Sequence, residues 1–317
     1  MATRKQPTQK GAFKSAPVRV RVPASSANLG SGFDCAGLSL GLYDDVVAQV
    51  VDEPGFAVDI HGEGQEGVPR DHRNLVAQAM ARTFDVLGVS PTGVALVCAN
   101  RIPHGKGLGS SAAATCAGMV LACELVPGAD SKLSTSDLIS LGSEIEGHPD
   151  NVAACLGGGL TLSWQNRNGD DQATTIASKS WPVLTEITPV ICLPASANST
   201  KKARSVLPES VPLKDAASQA ARSALLLAAF TQDSSLLFAA TQDFLHQRYR
   251  RELMPASFQA LTRLRAAGVA AAFSGAGPSL ICLVGANEAQ KVGDLAGPDF
   301  QTMALGVDLS GSRVEPL

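Results

Sequence analysis

The sequence predicts a mixed α and β protein built as two domains. Three observations carry that expectation. At 317 residues the chain is longer than one core usually organises, and 45% hydrophobic against 17% charged residues is a globular composition. Short apolar runs with a period of two recur between segments with a helical period. A polar interval, QNRNGDDQATTIASKS at 165–180, breaks the apolar pattern near the middle. It sets the expected division into 17–172 and 173–317, after a basic, disordered tail at 1–16.

Taken in order, VRVRV at 18–22 alternates apolar with arginine and reads as a half-buried strand. PASSANLGSGFDCAGLSL at 23–40 crowds small and polar residues and reads as a loop, either joining two strands at the surface or lining a cleft with Asn28 and Asp34. Strands are expected at 42–51 and 56–60. Asn74 opens a helical pattern that Gly88 stops, so its first reading is a helix cap. A strand at 91–99 then feeds a glycine loop and an alanine-rich helix running to 126, followed by a helix at 138–145. Beyond the polar interval come a strand at 189–194, a helix start at STKKAR, and helices at 213–230, 234–245 and 257–266. Two strands within 268–284 flank SGAGPS.

The stretch RIPHGKGLGSSAAA is the one with chemistry in its spacing. Gly105, Gly107 and Gly109 free the backbone to approach a ligand, and the helix beginning near Ser110 and Ser111 presents N–H groups and a partial positive charge. That is a seat for phosphate, with the Ser110 hydroxyl in reach of Mg²⁺; the alternative is a tight turn before a closely packed helix. Lys106 is followed by glycine, so the P-loop pattern fails, and the G-x-G-x-G spacing is not that of a dinucleotide fold. Glu144, Glu146, His148 and Asp150 cluster at the next helix end. No second His or Cys is spaced for zinc, whereas carboxylates beside a phosphate seat suit Mg²⁺.

Several classes are set aside. A net charge of −3 and 4% aromatic content argue against nucleic acid. The alanine-rich helix is too short for a bilayer and carries Glu124, so no membrane role is expected. Seven scattered cysteines with no C-x-x-C pair read as reduced thiols of a cytoplasmic protein, and the tail lacks the apolar core of a signal peptide.

Four stretches, VPASSANLGSGFD, PHGKGLGSSAAA, EGHPDNVAACLGGG and SGAGPS, together resemble the homoserine kinases of the GHMP kinase superfamily. The resemblance implies a two-domain α+β fold, with a ribosomal-protein-S5-like N-terminal part, a ferredoxin-like C-terminal part and the site between them. It implies ATP and Mg²⁺, L-homoserine as acceptor, O-phospho-L-homoserine as a product on the way to threonine, and a homodimer. ATP would lie against Pro103, Gly105, Lys106, Gly107, Leu108, Gly109, Ser110 and Ser111, with Gly275 and Gly277 packed on that loop and Asn74 near the adenine. Ser110 and Glu144 would hold Mg²⁺, with Glu146 as a rival two residues away.

Homoserine is a zwitterion, so its pocket needs cations for the carboxylate and an acid or amide for the ammonium. Arg204 and Arg250 match the first requirement and Asp34 and Asn28 the second, with Thr200 and His148 nearby in the pattern and Asn151 placed at the attacking hydroxyl. Asp150 either takes the hydroxyl proton or leaves it to ATP. Mevalonate or shikimate, as acceptors, need no ammonium partner; a binding module without catalysis would not need Ser110, Glu144 or the HPDN stretch. The chain departs from the pattern at Ser31 for proline, at Ala276 for serine, and at Gln247 and Arg248 for a glutamate–proline pair, which leaves Arg248 and Arg251 as rivals to Arg250.

Overall fold

The computed structural model describes residues 13–166, 175–197 and 200–317; most of the expected tail at 1–16 lies outside the described residues. Among those described, the strands are β1 (Val18–Asn28), β2 (Gly32–Val51), β3 (Gly55–Gly62), β4 (Gly93–Asn100), β5 (Leu160–Asn166), β6 (Thr175–Trp181), β7 (Thr188–Pro194), β8 (Ala270–Phe273), β9 (Leu280–Val284), β10 (Phe300–Ala304) and β11 (Arg313–Glu315). The helices are α1 (Leu75–Leu87), α2 (Ser110–Leu125), α3 (Thr135–Glu146), α4 (Asp150–Gly157), α5 (Thr200–Arg204), α6 (Leu213–Thr231), α7 (Leu237–Ala240), α8 (Pro255–Ala266) and α9 (Ala289–Ala296). None of them is long and apolar enough to cross a membrane.

The first sheet runs β11-β1-β2-β4-β3, with the β5–β6 hairpin added beside β2. Only β3 and β4 are parallel, because α1 carries the chain across between them. Alternate residues of its strands (Val20 and Val22, Val46 and Ala48, Leu96 and Cys98) are buried on one face together with Met80 and Phe84 of α1 and Ala113 and Cys116 of α2. Helix α2 shows no apolar stripe because it is buried nearly all round, and its small residues are what permit that. A methyl at Gly118 would stand 2.4 Å from the Val76 carbonyl oxygen of α1. The second sheet, β10-β7-β9-β8, is antiparallel throughout and carries α8 and α9 on a core of its own.

The α+β expectation agrees with this architecture, but two local readings do not. Residues 23–40 are mostly strand, not loop: β1 continues to Asn28 and β2 starts at Gly32. Ala24, Ser25, Ser26 and Ala27 are all buried, so there is no exposed face to mark a strand's period. The expected division near 172 falls among residues 167–174, outside the described residues; β5 and β6, on either side of it, pair with each other in the first sheet. The helix read at 234–245 is cut to α7. The Asp243 carboxylate accepts from the N–H groups of Leu245, His246 and Gln247, giving the chain a turn in place of helical bonds.

Candidate active site

The phosphate seat is shaped by main chain packed on main chain. Gly105, Gly107 and Gly109 all have positive φ. A methyl at Gly107 would lie 2.2 Å from the Ser274 carbonyl oxygen, and one at Gly109 would lie 2.1 Å from the Ser25 hydroxyl, so no larger residue fits either place. Ser274 Oγ donates to the Gly107 carbonyl at 2.6 Å, Ser25 N to the Leu108 carbonyl at 3.0 Å and Gly275 N to the Ala27 carbonyl at 3.0 Å. Helix α2 is capped by Gly109 with no side-chain bond, and its first internal bond runs from Ala113 N to the Gly109 carbonyl. The N–H groups of Ser110, Ser111 and Ala112 therefore have no acceptor inside the helix, and all three residues line the cleft.

This cleft, a cavity of about 130 Å³, is walled by both halves of the chain: residues of the 27–34 turn, 105–112 and 146–151 on one side, Arg204, Arg250 and 275–277 on the other. A second, mostly apolar cavity of about 250 Å³ adjoins it and shares Ser110 and Ser111. Asn74 is in its wall, but both ends of its amide are used. Its Oδ1 accepts from Val76 N to cap α1, and its Nδ2 donates to the Pro69 carbonyl. Pro103 lines neither cavity. Lys106, expected beside the phosphates, is turned away. Its ammonium donates to the carbonyls of Pro194, Ala195 and Ser196 at the end of β7, and burial lowers its pKa.

Of the two acids on α3, Glu146 faces the seat and Glu144 does not. Residues two apart on α3 face nearly opposite directions. Glu146 lines the cleft and accepts from Ser111 Oγ at 2.9 Å and Thr115 Oγ1 at 2.7 Å. Glu144 is 69% exposed and meets Arg82 at 3.9 Å. Ser111 and Thr115 are one turn apart on α2, which was the available hint that their face carries polar work.

At the other end of the cleft, Asp150 begins α4 and is buried. Its Oδ1 accepts from the Asn151 backbone N–H at 2.7 Å and meets His148 Nδ1 at 2.6 Å. Burial works against a charged His148, yet the Asp150 carboxylate outweighs it and raises the imidazole pKa above its ordinary value. Asn151 Oδ1 accepts from Ser25 Oγ at 2.9 Å, which fixes the amide at the cleft wall.

The residues expected to bind a zwitterion are brought together, but bound to one another. Arg204 grips Asp34 through two parallel bonds, Nη1 to Oδ2 at 2.9 Å and Nη2 to Oδ1 at 2.5 Å, and lies over the Phe33 ring. Asn28 lines the cleft and also holds the turn: its Oδ1 accepts from Asp34 N, and its Nδ2 donates to the Gly275 carbonyl. Asn28 and Asp34 both have positive φ, at 70° and 56°, strain that this packing maintains. The Thr200 side chain lies outside the described residues.

Arg250 is 1% exposed and opens into the cleft. Its guanidinium meets the Ala203 carbonyl, the Gly275 carbonyl and His246 Nδ1. No carboxylate among the described residues pairs with it, and burial pushes its pKa down to about 10. The rivals point elsewhere: Arg248 pairs with Asp215 at 2.7 Å, and Arg251 lies over the Phe258 ring.

Raising the His148 pKa above 6.5 means the His148–Asp150 pair stabilises the fold fully below that value and ceases to do so as pH rises through the raised one. His148→Gln is therefore expected to lower the thermal unfolding midpoint more at about pH 6 than at about pH 8.5. An equal loss at both would show that the pair contributes nothing ionic.

Two family models match: GHMP kinases N terminal domain over residues 74–159 and GHMP kinases C terminal over residues 221–294. The chain is 52% identical over 306 residues to the homoserine kinase of Streptomyces avermitilis, covering 96% of this chain and 98% of that protein. It is 44% identical over 263 residues to the homoserine kinase of Mycobacterium tuberculosis, covering 83% and 82%. Among solved structures, the homoserine kinase of Cytophaga hutchinsonii matches with a TM-score of 0.80 at 28% identity, over 98% of this chain and 100% of that one. The L. major mevalonate kinase, at 15% identity and a TM-score of 0.65 over 95% and 98%, shares the fold. On this evidence the chain belongs to the homoserine kinase family of the GHMP kinases.

Proposed function

We propose that this protein transfers the γ-phosphate of ATP to the γ-hydroxyl of L-homoserine, giving O-phospho-L-homoserine. The observation that carries the reading is Arg250, a buried cation with which no carboxylate among the described residues pairs directly, in the same cleft as a helix N-terminus shaped for phosphate. An incoming carboxylate would supply the missing charge. Its ammonium would take Asp34, and the carboxylate would draw Arg204, so a zwitterion can replace the Asp34–Arg204 pair without stranding either partner. Mevalonate or shikimate could satisfy the arginines but would leave Asp34 unpaired.

The donors beside the seat fit Mg²⁺. Glu146, Ser110 and Ser111 are hard oxygen ligands, and a Mg²⁺ ion carried by phosphate oxygens and waters needs only one or two protein carboxylates. When bound it offsets the charge on the phosphate oxygens. The chain itself contributes position and fixed dipoles: the N–H groups of Ser110, Ser111 and Ala112 face the charge that develops on the transferred group. Asn151, braced by Ser25, orients the hydroxyl. Asp150 Oδ1 already receives His148 and the Asn151 N–H, so Asp150 serves to position these groups, and the hydroxyl proton passes to a phosphoryl oxygen.

ADP release followed in parallel with homoserine, serine, mevalonate and shikimate should rise only with homoserine; no rise above the ATPase background would sink the reading. Glu146→Gln should raise the Mg²⁺ concentration for half-maximal rate by about tenfold or more, with Glu144→Gln near wild type. The reverse order would return the metal to Glu144. Asp150→Asn keeps an acceptor oxygen and should hold kcat within about tenfold, whereas loss of a general base would cost roughly 10²–10⁴-fold.

A further inference from the structure

We infer that His246 is the positioning residue that makes the substrate end of the cleft selective for a carboxylate, acting through Arg250. The inference rests on the reading of Arg250 as the carboxylate's partner. His246 is fully buried at the end of the Asp243 turn and does not itself line the cleft. Its two ring nitrogens have different partners. Nε2 lies 2.9 Å from the Gly30 carbonyl oxygen, which can only accept, so Nε2 carries the proton. Nδ1 lies 2.9 Å from Arg250 Nη1, which can only donate, so Nδ1 holds a lone pair. Both bonds require the neutral ring in one tautomer.

The surroundings keep it so. Burial lowers the imidazole pKa and Arg250 adds to the effect, against the upward pull of Asp243, whose Oδ1 stands 3.4 Å from Nε2. Protonation would place a second cation against a guanidinium that no carboxylate among the described residues pairs with directly. The other Arg250 bonds are longer, 3.4 Å from Nε to the Ala203 carbonyl and 3.2 Å from Nη1 to the Gly275 carbonyl, so the imidazole is the closest group aiming the guanidinium.

The same ring also reaches the other half of the substrate end. Phe33 stacks on it, with centroids 5.0 Å apart and planes 25° apart, and Arg204 lies over Phe33. Gly30, held by Nε2, begins the turn that presents Asp34. One uncharged imidazole thus spaces the cation meant for the carboxylate from the turn that carries the acid meant for the ammonium.

The test uses two isosteric substitutions and two ligands. His246→Asn keeps an acceptor where Nδ1 stood and loses the donor to Gly30; His246→Gln keeps a donor near Nε2 and loses the acceptor for Arg250. The ligands are L-homoserine, as substrate, and 3-amino-1-propanol, which lacks the carboxylate, as a competitor of it. His246→Gln should raise KM for homoserine about 10–100-fold, the worth of one hydrogen bond to a charged group, with a smaller change in kcat. The inhibition constant of aminopropanol should move by less than about threefold, and His246→Asn should keep KM for homoserine within about threefold of wild type. An equal loss for both ligands in His246→Gln, or His246→Asn as damaging as His246→Gln, would overturn the inference and leave His246 a packing residue. If the wild type binds aminopropanol as well as homoserine, the carboxylate reading of Arg250 fails first and takes the inference with it.

Discussion

The site depends on three pieces of main chain that meet with no side chain larger than serine between them. The phosphate loop, the end of β1 and the 274–277 turn exchange backbone and serine bonds around Gly107, at distances that exclude even a methyl group. Everything else is referred to that junction. It aims the N-terminus of α2, it seats the Asn28 turn through Gly275, and it carries one of the carbonyls that holds Arg250. Glycine is demanded here by proximity as much as by positive φ, which is why the glycines are spaced so differently from those of other nucleotide loops.

Charge is arranged around the junction in a graded way. The phosphate end offers dipoles and one carboxylate, suited to a polyanion carrying a divalent cation. The acceptor end offers the Asp34–Arg204 pair and a cation, Arg250, that no carboxylate among the described residues pairs with directly. Arg250 is also its most deeply buried cation, where desolvation makes an anion most welcome. Asp34 and Arg204 being joined to each other places the mutual neutralisation on the more exposed side of the cleft, where water helps to part them.

How far the sequence revealed this differs by element. Strands with one exposed face, such as β4, and helices with a stripe, such as α1, were legible because burial on one side leaves a period. The stretch from Ala24 to Ala27 was not, since burial on both faces erases it. The phosphate loop was legible as chemistry from glycine spacing and a helix start. Glu144 and Glu146 could not be told apart, because which one faces α2 depends on how α3 is turned, and no local rule states that. Lys106 misled for a related reason: its reach allows either the seat or the carbonyls of β7, and the latter, three acceptors in one place, hold it. His246 carried no sequence signal of its own; nothing local showed that Asp243 turns the chain there and buries it.

Ser31 stands where the family pattern has proline, and the two residues hold a turn by different means. A proline ring restricts φ wherever the chain is, folded or not. Ser31 holds the turn by donating to the Ala240 carbonyl at 2.7 Å, while its own carbonyl accepts from Gln219 and Ser223, contacts separated by about 190 to 210 residues of chain. The Gly30 carbonyl likewise meets a partner 216 residues later. During synthesis, then, this turn has its β1–β2 pairing and its Asn28–Asp34 bond early, but lacks these long-range partners until α6, α7 and the Asp243 turn have emerged. The acceptor end of the cleft is therefore complete only once Arg250 and the Gly275 turn have been made, although Asn28 and Asp34 are among the first residues of the fold to emerge.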